Sequence, residues 1–271
     1  MTVASADGLT INYRSIGSGP GLILIPGALA VADDLAPLAG ALSRDFTVHT
    51  IERRGHDGNG PQGDGYCIAR ECEDLAAVQR ETRASSVFGH SYGGLIALEA
   101  ARTNKALTKV AVYEPGVSIN GSVPRHWVAQ YEASLAAGKP MDAFIAFALA
   151  LGPKRAEKTP YWIMRLVLAF LLRGDERERT LALLPAVLRE HLEIFRLDNS
   201  FESYREISAP VLWIYGGESP ASITEVPERL RDVIPRLTVT GLGGLNHFGP
   251  EKKRSATEVA VAIREFLLSD G

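Results

Sequence analysis

The chain has 271 residues, of which 46% are hydrophobic and 23% charged, a mixture that excludes a disordered or fibrous protein and fits one large domain or two small ones. Its 29 Lys and Arg residues against 32 Asp and Glu leave a formal charge of −3, which removes the electrostatic case for nucleic-acid binding. Two cysteines exclude a disulfide framework and a four-cysteine zinc site. The first residues, Met1 to Asp7, lack a basic segment followed by an apolar one, so they do not read as a signal peptide. Leu9–Arg14 alternates like an edge strand. Leu22–Ile25, Thr47–Ile51, Ser86–Phe88 and Lys109–Tyr113 are short runs rich in Val, Ile and Leu, as strands buried on both faces of a parallel sheet require. Helical patterns separate them at Asp34–Leu42, Ile68–Arg80 and Leu95–Arg102. Cys67 and Cys72 fall on the second of these as thiols on different faces, expected to be buried. This alternation predicts βαβ units and a mostly parallel sheet covered by helices.

The rhythm changes after Tyr113. From Pro124 to about Leu197 the pattern is helical throughout, punctuated by Pro140, Pro153, Pro160 and Pro185. The apolar stretch Tyr161–Leu172 contains Arg165 and falls short of the about 20 residues a membrane span needs. No membrane partner is therefore expected, and the expected location is the cytoplasm. Strand and helix then resume at Pro210–Tyr215, Val226–Val233, Leu237–Val239 and Ser255–Leu268. The predicted organisation is a core of residues 1–119 and 201–271, with residues 120–200 inserted as a helical cap over the sheet's C-terminal edge, where open α/β sheets bind ligands.

The segment Val87-Phe-Gly89-His90-Ser91-Tyr92-Gly93-Gly94-Leu95 carries the strongest chemical signal. It has the form G-x-S-x-G, with a strand leading in and a helix leading out. A serine at so sharp a turn adopts a strained backbone, and the residues two before and two after it must be tiny. Gly89 and Gly93 meet that demand. The turn lifts Oγ clear of the sheet and aims the Tyr92 N–H, at a helix N-terminus, toward a developing oxyanion. Late in the chain, Asn246-His247-Phe248 lies in a Gly-rich loop between the last strand and the last helix, where a base could reach the serine.

Together these segments resemble the α/β-hydrolase fold over nearly the whole chain. The resemblance implies Ser91 as nucleophile and His247 as general base. It also implies that Leu24-Ile-Pro26-Gly27-Ala28-Leu29 is the loop after the third strand, with Pro26 where family members usually carry His. The N–H groups of Ala28 and Tyr92 are then the oxyanion donors. Ile51-Glu52-Arg53-Arg54-Gly55-His56-Asp57-Gly58 is similar to a supporting stretch of the family, which makes His56 structural. His49, His90, His126 and His191 read as structural or solvated, with His126 able to line a pocket. Family members that dehalogenate or open epoxides use an aspartate nucleophile, so Ser91 points instead to acyl transfer.

Two positions compete for the acid. The usual family position follows the strand Val211–Tyr215, but there the chain reads Gly216-Gly217-Glu218-Ser219-Pro220, and Ser219 takes the aligned place. Some members, such as haloalkane dehalogenases and resorcylic-lactone hydrolases, carry the acid after the preceding strand, where this chain has Glu114. A carboxylate at a buried strand end is costly unless paired, so Glu114 is preferred and Glu218 is the alternative. The expected function is hydrolysis of a carboxylic ester or lactone of a small hydrophobic substrate, through an acyl-enzyme, with no metal and no cofactor. C–C bond hydrolysis or a lyase reaction by the same residues, or a weakly catalytic ligand-binding role, are the competing readings. A pocket lined by cap aromatics such as Trp127, Tyr131, Phe144, Phe147, Tyr161, Trp162, Phe170 and Phe195 is expected to favour apolar substrates. The expected assembly is a monomer or homodimer.

Overall fold

A computed structural model describes residues 1–56, 58–152 and 159–269. Eight strands form one sheet: β1 (Thr2–Ala4), β2 (Thr10–Gly17), β3 (Gly21–Ile25), β4 (Thr47–Ile51), β5 (Ser86–His90), β6 (Lys109–Tyr113), β7 (Val211–Gly216) and β8 (Leu237–Leu242). Their order is β1-β2-β4-β3-β5-β6-β7-β8. β1 and β2 form an antiparallel margin, and every pairing from β4 through β3 to β8 is parallel. β3, β4, β5 and β6 are each buried over their last four residues. Their unbroken apolar runs thus reflect burial on both faces, as the sequence pattern implied.

The pleat divides those runs between two cores. Ile23 and Ile25 of β3 face one side with Val87, Val110 and Trp213, under α2 (Ile68–Thr82) and α3 (Tyr92–Thr103). Leu22 and Leu24 face the other with Phe88, Ala111 and Leu212, under α1 (Ala36–Leu42) and the closing helix, α10 (Lys253–Leu268). Between β6 and β7 run α4 (Val128–Ala136), α5 (Pro140–Leu151), α6 (Tyr161–Leu171) and α7 (Gly174–Arg196), with no strand among the described residues of this stretch. Two short helices, α8 (Ala221–Thr224) and α9 (Val226–Leu230), follow β7.

Several sequence expectations need correction. β1 was not anticipated. Pro140 opens α5 and Pro160 precedes α6, but Pro185 lies inside α7 and does not end it. Its missing N–H is tolerated there because flanking residues Leu184, Ala186 and Val187 are buried and hold the helix in place. Pro153 and Asp57 lie outside the described residues. Cys67 is the residue before α2 rather than part of it, and both cysteines are free and half-buried rather than fully buried. Trp162 and Phe170, counted among the cap aromatics, face outward with exposures of 65% and 67%.

Candidate active site

Ser91 sits between β5 and α3 with φ +52° and ψ −118°. That conformation is strained for any residue with a Cβ and persists only where its surroundings enforce it. Three amides do so: the Ser91 carbonyl accepts from the N–H groups of Gly94 at 2.9 Å, Leu95 at 3.1 Å and Gly116 at 3.0 Å. The Ser91 N–H donates to the Tyr113 carbonyl at 3.0 Å. A Cβ on Gly89 would overlap the Gly93 carbonyl, and one on Gly93 would overlap the carbonyls of Ile25 and Pro26. The loop after β3 packs directly on the turn, since a Cβ on Gly27 would lie 3.1 Å from Ser91 Cβ. The Tyr92 N–H is the first of α3, so no carbonyl of that helix is available to it.

Glu114 is the residue after β6, buried, with φ +44°. Its Oε2 accepts from His247 Nδ1 at 2.7 Å. Its Oε1 accepts from the Gly216 N–H at 2.8 Å and the Ser219 hydroxyl at 2.6 Å. Burial pushes this carboxyl up, but the hydrogen bond and charge of His247, with the donors Ser219 and Gly216, outweigh it and hold the group below the usual carboxylate range. Ser219, expected from the sequence at the usual acid position, thus donates to the carboxylate that follows the neighbouring strand. Glu218 is exposed, and its N–H donates to the Leu245 carbonyl at 2.9 Å.

The loop bearing His247 is mounted on the ends of two strands. Tyr113 Oη donates to the Asn246 carbonyl at 2.7 Å, and His90 Nε2 donates to the His247 carbonyl at 2.8 Å. The rings of His90 and His247 have centroids 4.9 Å apart. His90 and Ser91 are consecutive, as are Tyr113 and Glu114, so the same two strand ends carry the serine, the carboxylate and the clamps on the histidine loop. In the tautomer whose Nδ1–H donates to Glu114, Nε2 carries the ring's lone pair.

Beneath this lies a buried ionic cluster that sequence reading overlooked. Arg53 Nη2 meets Glu71 at 2.7 Å and Glu190 of α7 at 2.6 Å. Glu190 also accepts from His56 Nε2 at 2.8 Å, which gives His56 a structural contact. The guanidinium and imidazole hold Glu190 down to about 2 against the upward push of burial. Both glutamates had a signal in the sequence. Ile68, Glu71, Leu75 and Val78, and likewise Leu183, Val187, Glu190 and Ile194, recur at helical spacing, so each acid interrupts an apolar stripe.

The other predicted positions are spread out. His49 bonds to Ser15 at 2.8 Å within the sheet. His126 is exposed. His191 is buried in α7 among Trp127, Phe147 and Phe195, with ring centroids 5.3, 5.1 and 6.4 Å away. Two cavities of about 450 and 360 Å³ border α7, and neither is lined by Ser91, His247 or Glu114.

A model of the alpha/beta hydrolase family matches residues 22–261. An uncharacterised hydrolase of Bacillus subtilis, YraK, is 32% identical over 96 residues, which is 34% of this chain and 35% of that one. A pimeloyl-[acyl-carrier protein] methyl ester esterase of Xanthomonas oryzae is 24% identical over 94% of this chain and 97% of its own. Among solved structures, an alpha/beta hydrolase from Sphaerobacter thermophilus superposes with a TM-score of 0.80 at 29% identity, covering 97% of this chain and 100% of that one.

Proposed function

The chain belongs to the alpha/beta hydrolase family, and from that premise we propose that it cleaves a carboxylic ester or lactone of a small hydrophobic molecule through an acyl-enzyme on Ser91. In this reading Ser91 Oγ attacks the carbonyl carbon while His247 Nε2 takes its proton. Glu114 holds the Nδ1 proton and stabilises the imidazolium that forms. The N–H groups of Ala28 and Tyr92 receive the oxyanion, each such donor contributing about 10²–10³ in rate. His247 then returns the proton to the leaving alcohol, and water, activated by the same imidazole, releases the acid.

The observation that carries this reading is the 2.7 Å hydrogen bond from His247 to the buried Glu114 carboxyl, on a loop bonded to His90, the residue before a serine held at positive φ. A bare serine turn has no need of an oriented imidazole. The curated relative named as a methyl ester esterase supports an ester as the scissile group. The test is labelling by a fluorophosphonate, followed by hydrolysis of aryl esters of graded chain length, several lactones and an activated diketone. Labelling at Ser91, with ester or lactone turnover that Ser91→Ala abolishes, is the expected result. Folded protein that resists labelling and turns over nothing would instead be a binding protein. Preference for the diketone would move the assignment to C–C cleavage.

A further inference from the structure

Arg53 is fully buried, and a guanidinium in that position carries a large desolvation cost. Two of its contacts are with carboxylates, but a third is not: Nη1 donates to the Gly27 carbonyl at 2.9 Å. The carbonyl of Gly27 and the N–H of Ala28 belong to one peptide unit. In a planar trans peptide these two groups point in opposite directions, so whatever fixes Gly27 O also fixes where the Ala28 N–H points. A charged donor on the carbonyl draws electron density from the N–H and makes it a stronger donor in turn.

The same guanidinium lies over the Tyr92 ring, 4.8 Å from its centroid. Tyr92 Oη pairs with Tyr66 Oη at 3.0 Å, and Tyr66 donates to Glu71 at 3.0 Å. Arg53 therefore contacts the Gly27 carbonyl of the peptide that carries the Ala28 N–H and the ring of Tyr92, whose own N–H would be the second oxyanion donor. Glu71 and Glu190 hold it from α2 and α7.

We propose that Arg53 is a positioning residue for the oxyanion hole, orienting and polarising the Gly27–Ala28 peptide so that the Ala28 N–H meets the developing negative charge. This rests on the serine-hydrolase reading above. It assigns Arg53 an effect on the transition state that packing alone would not give.

The test compares wild type with Arg53→Lys and with the double variant Arg53→Gln/Glu71→Gln, which removes the cation together with one of its two carboxylates and leaves the other, Glu190, bonded to His56. Arg54→Lys is the control: Arg54 is also a buried arginine, but its partners are Asp74 at 2.7 Å and Asp7 at 2.9 Å. Active sites are counted by fluorophosphonate titration carried to completion, which excludes unfolded chain from every rate. The readouts are kcat and KM on the best aryl ester, and Ki for a trifluoromethyl ketone analogue that forms an oxyanion on the enzyme. The Arg53 variants are expected to lose ten- to a hundredfold in kcat with KM within twofold, and the ketone Ki to rise by the same factor. Arg54→Lys is expected to lower Tm while kcat per site stays within twofold. Unchanged kcat in the Arg53 variants, a loss of kcat with no change in Ki, or an equal loss in Arg54→Lys would each overturn the inference. Wild-type protein that resists the fluorophosphonate would remove the serine-hydrolase reading and the inference with it, an outcome distinct from labelled wild type with unaffected Arg53 variants.

Discussion

Glu114 accepts three hydrogen bonds, from His247, Ser219 and the Gly216 amide, and so has little freedom to turn. An imidazole bonded to so fixed a carboxylate is held in one tautomer. Replacing Glu114 with Gln keeps the shape but offers His247 an amide in place of a charge, and kcat should fall by about 10²–10⁴. Glu218→Gln should leave kcat within twofold, since that side chain is exposed. A larger loss from Glu218→Gln would transfer the acid role to it. Ser219 allows a sharper experiment. Because its hydroxyl already touches Glu114, an aspartate there could take over the charge, and Glu114→Gln/Ser219→Asp should recover at least tenfold over Glu114→Gln alone. No recovery would mean that the loop after β7 cannot present an acid to His247. At this scale the sequence revealed which strand end bears a costly carboxylate. It did not reveal the Ser219 and Gly216 contacts, which join residues about a hundred positions apart through the β6–β7 pairing.

The turn between β5 and α3 depends on how closely it approaches the end of β3. A Cβ at Gly93 would meet backbone carbonyls of Ile25 and Pro26, which have no rotamer to adopt instead. Gly93→Ala should cost at least about 2 kcal/mol by urea unfolding, through displacement of the loop after β3. Gly40 gives the opposite case. It lies exposed inside α1, and a Cβ there meets nothing within 4 Å. Gly40→Ala should therefore stabilise by about 0.5–1 kcal/mol through helix propensity. If the two substitutions had similar effects, close backbone approach would not be what the elbow glycines serve. The parallel strands were legible because burial on both faces leaves an unmistakable apolar run. The sequence was less informative where that logic fails. β1 is three residues long and lies outside the run pattern. α6 is apolar except for Arg165, yet only Met164 and Leu168 are buried, while Trp162, Leu166 and Phe170 face outward.

Across the whole molecule, α7 binds the inserted helices to the core through two titratable groups that respond to acid in different ranges. His191 is buried, and burial lowers its pKa below the ordinary 6.5. A proton there favours the unfolded chain, so its contribution is fully present above about pH 6.5 and is lost as pH falls below that value. Glu190 is held down to about 2 from an ordinary 4.5 by Arg53 and His56, against desolvation. Its contribution is present above about pH 4.5 and is lost as pH falls from there toward 2. Glu114, also lowered, adds to this second loss. Glu71 and Asp34 act in the opposite sense, because burial raises both, and their proton uptake offsets part of these losses. The urea midpoint should therefore decline as pH falls below 6.5 and fall further below 4.5. His191→Phe, which suits the surrounding rings of Trp127, Phe147 and Phe195, should shrink the upper decline and leave the lower one. Glu190→Gln should reduce the lower fall, after an overall loss of a few kcal/mol from leaving Arg53 with one carboxylate instead of two. An upper decline undiminished in His191→Phe would place the sensitive proton on another group, with His49, also lowered by burial, the next to substitute.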